Sequence, residues 1–440
     1  MPAGLTTPAP LAGLDRGPVG ILAGRGAVVA DLAEAITGGG RAVHIVALAG
    51  FASSDLQRFP HDWVGLGQLG GMLAALRRAG CRDLVIIGGL ERPDLTRLRF
   101  DLGAIRHARD IYALTRGGDD GMLRVVVRFF EGQGFTVRGI ADLAPALIAP
   151  EGPIAGPALT TDQAKAITRA RHALAALAPF DMGQAVVAAP DGIVAWEAAE
   201  GTQRMLARLA SRGSDAGQAG PAACRMLVKL PKRGQELRID LPTIGAETIA
   251  QARAAGLTGI AVAAGTTVLA ERPALVSAAA AAGLTIAGLA DDAGGAREAA
   301  ATRPGLADDG ELAKQVCAAA APHARSPSGA IAAIVRRGHV LALELDASTA
   351  SHLAERIASV PRGWGRLLAL SRAGALHVRL SPASGARHLD VPGLVAALRK
   401  ARLASVAITA DDHGATVQSL AEAARLAGAT FKTSIEHHGS

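Results

Sequence analysis

The feature that most constrains this fold is a repeated alternation of short apolar runs with longer segments of helical periodicity. The run PVGILAGRG predicts a buried strand that ends in a glycine turn, AVVADLAEAITGGG predicts a helix, and AVHIVALAG predicts the next strand. Another such pair follows in LGGMLAALRRAG and DLVIIGGL. Strands that alternate with helices are typical of mostly parallel or mixed sheets covered by helices on both faces, so we expect an α/β fold.

Clusters of proline and glycine divide the chain into predicted domains. Residues 1–17 are a Pro-rich flexible lead, and 18–150 form an N-terminal α/β domain that ends near LIAPEGPIAGP. A second α/β domain, expected to be the catalytic one, spans 160–290. Residues 291–328 are polar and Ala-rich and predict a linker, which leads to a third α/β unit over 329–440.

The third unit resembles the second, which predicts a degenerate duplication. Its segment SRAGALHVRLSPASGAR, the counterpart of Lys229–Glu236, contains no carboxylate. Because a magnesium ion needs several oxygen ligands, we expect the third unit to be catalytically silent. The aligned segments are Ile193–Thr202 with Val340–Thr349, MLVKL with LLALS, and Arg238–Thr243 with His388–Gly393.

The charge balance bears on possible partners. The net charge is +7 and the pI about 9.9, but the basic residues are spread along the chain and aromatic residues make up only 3%. A nucleic-acid binder needs a clustered basic face, and single strands also need aromatic platforms, so we expect no nucleic-acid partner. The arginine excess indicates either a phosphate-bearing partner or anionic membrane surface, or only the codon bias of a GC-rich genome.

The cysteines and the apolar runs indicate a cytoplasmic protein. Cys81, Cys224 and Cys317 are widely spaced and form no zinc pattern, so we expect them to be reduced packing residues. The N-terminus has no basic region of a signal peptide. The longest uncharged run, around Ala274–Ala290, is too weakly apolar to span a bilayer.

A glycine turn follows the first predicted strand. Gly24 and Gly26 flank Arg25 between that strand and the next helix, where backbone amides can bind a phosphate group. Val29 stands where the third glycine of a dinucleotide fingerprint would be. The alternative is a tight strand-to-helix turn without a ligand.

A pair of adjacent carboxylates begins a later predicted helix. Asp119 and Asp120 follow Gly117 and Gly118 at this point. They could hold Mg²⁺ from the N-terminus of the helix, or they could simply cap it.

The densest group of charged residues lies between 229 and 245. If this segment is a strand, its period of two places Glu236, Arg238 and Asp240 on one face, with Lys229 just upstream. Carboxylates that hold Mg²⁺ and cations that neutralise phosphate charge suit a diphosphate and its metal ion. The alternative is a solvated strand face with ion pairs.

These motifs and several others together resemble the LpxI-type UDP-2,3-diacylglucosamine pyrophosphatases. The resemblance covers about residues 18–290 and keeps the order of the motifs. The segments that carry it are GILAGRG, GLGQLGGMLAALRRAG, IIGGLERPDL, GGDDGMLR, FDMGQAVV, EAAEGT, LVKLPKRGQELRIDLPTIG and AGLTGIAVAAG.

The resemblance implies Mg²⁺-dependent hydrolysis of UDP-2,3-diacylglucosamine to UMP and 2,3-diacylglucosamine 1-phosphate, with Mn²⁺ as an alternative ion. It also implies two α/β domains with the site between them. The expected partners are the nucleotide-lipid substrate, the inner membrane surface in transient contact, and a second subunit if the protein forms a homo-oligomer.

Residue roles follow from the resemblance and the chemistry of the motifs. Asp240 is expected to bind the metal or to orient the attacking water, and Glu236 and Glu200 complete the carboxylate set. Lys229 and Arg238 are expected to neutralise the phosphates. The remaining residues expected to bind substrate are Gly24, Gly26, Asp119, Asp120, Gln235 and Thr202.

Three positions depart from the pattern of the family. Gln203 stands where the family usually has an acid, Glu236 replaces an aspartate, and Arg25 replaces a glycine. Since Gln203 removes a negative charge that a divalent ion would use, the alternative function is a non-catalytic nucleotide-lipid binder or regulator.

Overall fold

The computed structural model describes most of the first two thirds of the chain and separate stretches of the last third. The described residues are 17–89, 99–107, 119–212, 224–232, 235–290, 308–324, 331–336, 339–344, 375–379, 392, 395–396, 398–399, 403, 405–410 and 415–435. The predicted lead, apart from Gly17, lies outside them. The chain forms two compact units, of which unit 1 contains Met1–Pro150, Gly234–Ala246 and Ala264–Leu275, and unit 2 contains Glu151–Arg233, Glu247–Ala263 and Val276–Ser440.

Unit 1 is built on a five-stranded sheet with the order β3-β2-β1-β4-β5. All neighbouring strands in it are parallel. The strands are β1 (Val19–Ala23), β2 (Val43–Leu48), β3 (His61–Val64), β4 (Asp83–Ile87) and β5 (Thr136–Val137). The helices are α1 (Val28–Gly38), α2 (Leu69–Arg78), α3 (Leu102–Arg106), α4 (Asp119–Gly132) and α5 (Ile140–Leu143).

Helices cover both faces of this sheet because each presents an apolar stripe. In α1, Val29, Leu32, Ala33 and Ile36 are buried at the spacing of one helix face and pack with β1 and β2 in one core. On the other face, residues of α2 and α4, among them Phe130, pack in a second core. The expectation of an α/β domain is therefore confirmed for this part of the chain.

Unit 2 contains a six-stranded mixed sheet with the order β6-β13-β11-β9-β7-β8. Its strands are β6 (Gly152–Ala155), β7 (Ala185–Ala189), β8 (Gly192–Trp196), β9 (Met226–Lys229), β11 (Gly259–Ala263) and β13 (Thr285–Leu289). Its helices are α6 (Thr161–Leu177), α7 (Gly201–Arg212), α8 (Ala246–Ala254), which begins one residue before the unit boundary, and α9 (Arg272–Ala282), which enters it from unit 1. The short pair β10 (Thr243–Ile244) and β12 (Val268–Leu269) belongs to unit 1.

The last third of the chain adds a five-stranded sheet to unit 2, with the order β15-β14-β16-β17-β18. Its strands are β14 (Ile331–Arg336), β15 (His339–Glu344), β16 (Ala375–Arg379), β17 (Ser405–Ala410) and β18 (Thr430–Ile435), and its helices are α10 (Asp309–Ala320) and α11 (Ala415–Ala427). The connectivity repeats that of five strands of the six-stranded sheet, β7, β8, β9, β11 and β13. In both sheets an antiparallel hairpin is followed by one antiparallel and two parallel pairings. The predicted likeness of the third unit to the second is confirmed.

The register of the two repeats differs from the sequence alignment at one strand. Strand β16 pairs as β9 does, so the counterpart of MLVK is ALHV and not a part of LLALS. The alignment was wrong here because both segments are short apolar runs, and only the pairing of strands distinguishes them. In the register of the neighbouring strands, Val378 thereby takes the place of Lys229.

A helix also occupies part of the stretch predicted as a linker over 291–328. Helix α10 forms there because Leu312, Ala313, Val316 and Cys317 bury one apolar face. The middle repeat is defined below as the unit 2 residues between 151 and 290, and the C-terminal repeat as residues 308–435.

The three cysteines are free thiols, as the sequence suggests. Burial raises the pKa of Cys81 to about 11 and that of Cys317 to about 12. Such thiols react slowly as nucleophiles at neutral pH. No helix within the described stretches is both long and apolar enough to cross a membrane.

Candidate active site

The order of the sheet in unit 1 marks where a ligand can bind. From β1 the strands β2 and β3 follow towards one edge of the sheet, and from β4 the strand β5 follows towards the other edge. The strand order therefore reverses between β1 and β4. In open parallel sheets, ligands bind beyond the carboxyl ends of the strands at this reversal. Gly24 follows β1 and Gly88 follows β4 at this position.

The glycines of this turn allow two loops to touch. A Cβ on Gly24 would lie 2.7 Å from the carbonyl oxygen of Gly89, and Gly88 adopts φ +101°. The amide of Gly24 donates to Ile87, and Arg25 and Gly89 bond each other's amides and carbonyls. These contacts give the turn a packing role, because the amides of Gly24 and Arg25 already have backbone acceptors.

The helix after Gly118 is present and begins at Asp119, as predicted. The side chains of Asp119 and Asp120 lie outside the described part of the structure. Further along α4, Arg124 and Glu131 interact with the segment that follows Gly234. Unit 1 therefore joins this helix to the charged motif, although the two are more than one hundred residues apart in sequence.

The charged motif forms a turn, and the expectation of a strand was wrong. The amides of Ile239 and Asp240 both donate to the carbonyl oxygen of Glu236, at 3.1 and 3.0 Å. Ile239 packs on one core of unit 1 and Leu241 on the other. Alternating polar and apolar residues resemble a strand, but burial of these two side chains bends the backbone instead.

Arg238 has a fixed position in this turn. Its Nε and Nη2 donate to the two carboxylate oxygens of Glu236, each at 2.8 Å, and its Nη1 donates to Glu131 at 2.7 Å. The bonds from Arg238 lower the pKa of Glu236, although burial opposes this. The same bonds raise the pKa of Arg238 itself. The result is a guanidinium group held in one orientation at a partly exposed site.

Asp240 is the second carboxylate of the turn. Its Oδ2 accepts a bond of 2.6 Å from Nε2 of the buried Gln235. An amide donor fixes the orientation of a carboxylate without neutralising its charge. The turn thus brings together Gln235, Glu236, Arg238 and Asp240, of which the sequence analysis placed the last three on one face of a strand.

Unit 2 carries a different set of charged residues. Glu197 lies at the end of β8, is only 8% exposed, and accepts a bond of 3.1 Å from the hydroxyl of Thr202. Burial raises its pKa, while the charges of Lys229 and Lys232 oppose that effect. Lys232 also pairs with Asp181 at 3.4 Å. Thr202 and Lys229 are thus brought together around the carboxylate of Glu197, to which the sequence analysis assigned no role.

The FDMG motif explains how Glu197 is positioned. A Cβ on Gly183 would lie 2.5 Å from the carbonyl oxygen of Glu197, so only glycine lets the two segments approach. The amide of Glu197 donates to Ala185. A charged residue directly after the buried strand ending in Trp196 was the signal in the sequence that could have identified this site.

Glu200 has a structural partner. It pairs with Arg208 of the same helix region at 3.0 Å, and the two side chains are 4% and 13% exposed. Gln203 donates to Glu247 at 3.2 Å. An acid at position 203 would therefore face another carboxylate.

The metal-binding prediction concerns three carboxylates. Within the described stretches, no group of three or more histidine, cysteine, aspartate or glutamate residues could hold an ion. Arg238 engages Glu236, and Arg208 engages Glu200. Mg²⁺ often binds through one or two carboxylates, with phosphate and water oxygens as its other ligands. Asp240 fits such a site, in which Glu236 would be a second ligand.

Comparisons with known proteins agree with these motifs. Residues 18–147 match the model of the LpxI N-terminal domain, and residues 150–287 match that of the LpxI C-terminal domain. The UDP-2,3-diacylglucosamine pyrophosphatase LpxI of Caulobacter vibrioides is 34% identical over 271 residues, which cover 62% of this chain and 97% of the relative. The two family matches cover more than half of the chain in sequence order, and the chain therefore belongs to the LpxI family.

Proposed function

We propose that this protein hydrolyses the diphosphate of UDP-2,3-diacylglucosamine to give UMP and 2,3-diacylglucosamine 1-phosphate. The identity with the Caulobacter pyrophosphatase over nearly its whole length carries the proposal. The oriented Asp240 and Arg238 supply the kind of chemistry that the reaction needs. A phosphoanhydride hydrolase requires fixed charges around two phosphates rather than a covalent nucleophile.

Each residue of the turn has a distinct proposed task. Arg238, held by two carboxylates, binds a phosphate oxygen and stabilises the charge that develops during cleavage. Asp240 orients the attacking water or holds the metal ion. In unit 2, Lys229 neutralises phosphate charge, with Glu197 controlling its electrostatic environment.

The proposed cofactor is Mg²⁺, or Mn²⁺ in its place, held by Asp240 and Glu236 with phosphate and water oxygens. When bound, such an ion withdraws charge from the phosphate oxygens. EDTA should abolish turnover and added Mg²⁺ should restore it, as measured by release of UMP. Full turnover in chelator would exclude this cofactor. Because EDTA also binds zinc, a zinc-selective chelator is the control, and it should leave turnover unchanged.

The decisive experiment is the substitution Asp240→Asn. It removes one charge with almost no change in volume, so we expect turnover to fall by about 10²-fold or more while substrate binding persists. Asp162→Asn is the matched control, because Asp162 is an exposed residue of α6 paired only loosely with Lys165 at 3.3 Å. An Asp240→Asn enzyme as active as the control would exclude the assigned role.

A non-catalytic nucleotide-lipid binder is the second candidate. It is favoured by Gln203, which stands where the resemblance implies an acid and whose amide donates to Glu247. Purified protein that binds UDP-2,3-diacylglucosamine but releases no UMP in Mg²⁺ or Mn²⁺ would support this candidate. Release of UMP that is lost in Asp240→Asn would exclude it.

We also propose that unit 1 contacts the anionic membrane surface that holds the lipid substrate. Phe100, Leu102 and Ile105 are 45%, 85% and 63% exposed, and they lie together on and beside α3. The exposed Arg99 and Arg106 flank them. Apolar side chains with neighbouring arginines suit the boundary between lipid headgroups and acyl chains.

Vesicle flotation tests this surface. The double variant Leu102→Glu/Ile105→Glu should bind vesicles with anionic lipid less than wild type, because both apolar and electrostatic attraction are lost. Leu159→Glu is the control, since Leu159 is 42% exposed in unit 2. Equal loss in both variants, or no loss in either, would contradict the assignment.

A further inference from the structure

The middle and C-terminal repeats share more than their strand order. Helix α6 precedes the hairpin β7–β8 as α10 precedes β14–β15, and each helix ends in a short 3₁₀ turn, Ala178–Phe180 in one and Ala321–His323 in the other. The equivalence therefore begins at α10, before the third unit predicted from sequence.

Equivalent elements of the two repeats contact each other. Helix α6 packs against α10, and strand β8 lies beside β15. A single apolar core contains Ala166 and Ala170 of α6 together with Ala313 and Val316 of α10. Small side chains at these positions let the two helices approach closely.

The hairpins contribute to the same core. Ile193 of β8 and Leu343 of β15 are both members of it, and both are almost fully buried. The ring of His323 lies 6.4 Å from that of Trp196, and Ile193 forms a parallel bridge with Ala324. The repeats thus share one continuous interior instead of being joined only by the intervening chain.

Contact between equivalent elements is characteristic of a two-fold interface. In such an interface the same surface occurs on both partners, so elements that lie near the two-fold axis meet their own copies. A duplicated domain attached through an unrelated surface would instead bring different elements together. The pairing of α6 with α10 and of β8 with β15 is the arrangement that two copies of the middle repeat would form.

We propose that the C-terminal repeat covers, within one chain, a surface of the middle repeat that would otherwise pair with a second copy of this protein. The partner that fits this surface is the middle repeat of another copy. The Caulobacter relative supports this view, because 271 residues of this chain cover 97% of its length and the two family matches end at residue 287. A chain of that length has no C-terminal repeat to cover α6 and β8.

Burial of the apolar face formed by α6 and β8 is favourable, so this face is expected to have a partner. Ala166, Ala170 and Ala173 of α6 and Trp196 of β8 are all at most 1% exposed in the full chain. Removing the C-terminal repeat would uncover the part of this apolar face that it contacts. Large contiguous apolar patches on a soluble surface cause association.

The test displaces the C-terminal repeat in the full-length chain. Ala313→Asp places a charge in the shared core, where Ala313 is fully buried. Ala318→Asp, on the exposed side of the same helix, is the matched control. We expect light scattering after size exclusion to give Ala313→Asp twice the mass of Ala318→Asp, because the uncovered faces of two copies pair.

The opposite result is equally clear. A folded Ala313→Asp chain with the same mass as the control, at micromolar concentrations and with its helix content kept by circular dichroism, overturns the proposal. If this variant fails to fold, the wild-type chain with a protease site inserted between 291 and 307 decides. After cleavage, mild urea should displace the C-terminal fragment. The N-terminal fragment should then dimerise once the urea has been removed, and a folded monomer overturns the proposal.

Discussion

Two buried titratable residues make stability depend on pH in opposite directions. Glu197 is 8% exposed beside Lys229, and His377 is 2% exposed in β16. Burial raises the pKa of Glu197 and lowers that of His377 to about 4. In each case the low dielectric of the interior disfavours the charged form.

Glu197→Gln should raise the melting temperature at neutral pH by a few degrees. The pKa of Glu197 is raised above its ordinary value of 4.5, so its contribution to stability is full below that value and is lost as pH rises through the folded pKa. The ionised carboxylate therefore costs stability at neutral pH, and glutamine keeps an acceptor for Thr202. Thermal unfolding at neutral and acidic pH measures this effect, and a gain that persists unchanged in acid would contradict it.

Acid should unfold the C-terminal repeat through His377. Its Nε2 bonds Thr409 at 3.1 Å, its Nδ1 has no hydrogen-bond partner among the residues that the structure describes, and Lys314 and Arg379 disfavour a further positive charge. Stability is present above the unfolded pKa of 6.5 and is lost as pH falls towards about 4, a total of about 3 kcal/mol. Urea unfolding should show this loss in wild type and a much smaller one in His377→Leu.

At the scale of elements, helix α7 depends on an ion pair at its start. Glu200 precedes the helix and Arg208 lies two turns along it, and their contact of 3.0 Å is almost completely buried. Both charges are desolvated, so removal of either one leaves the other buried without a counter-charge and destabilises the fold. The sequence suggests Glu200 as a metal ligand, whereas this bond gives it a structural partner.

Arg208→Met should destabilise unit 2 by about 3–5 kcal/mol, because it leaves the carboxylate of Glu200 buried without its cation. The double variant Glu200→Gln/Arg208→Met should recover most of that loss, since neither charge remains. Chemical unfolding of the two variants and wild type forms the test. A double variant as unstable as Arg208→Met would show that packing of the arginine stem, and not charge, is the cause.

At the scale of the whole molecule, the units do not follow contiguous segments of the chain. Unit 1 recruits Gly234–Ala246 and Ala264–Leu275 from within the sequence of the second predicted domain. Leu241, Val268 and Ala270 from these segments pack into its core. The charged turn at 235–240 is therefore part of unit 1, while Lys229 belongs to unit 2.

A fragment of residues 1–150 should not fold stably, although it contains the entire five-stranded sheet. Without the two recruited segments, Val268, which is fully buried, is missing from the core together with its bridge to Ile148. Loss of core side chains costs several kcal/mol, which is comparable to the stability of a small domain. Circular dichroism and thermal unfolding of this fragment check the prediction, and a cooperative transition like that of the full chain would refute it.

The sequence by itself determined the alternation of strands and helices, the α/β class, the repeat and the family, because these depend on local periodicity and on motifs in a fixed order. It also identified Gln235, Glu236, Arg238 and Asp240 as a group, since they are neighbours along the chain. Tertiary structure alone decided that their segment is a turn, that Arg238 meets Glu131 and that Glu197 is the buried carboxylate beside Lys229. The physical reason is distance along the chain: Arg238 and Glu131 are 107 residues apart, and only the packing of the core brings such groups within reach of a hydrogen bond.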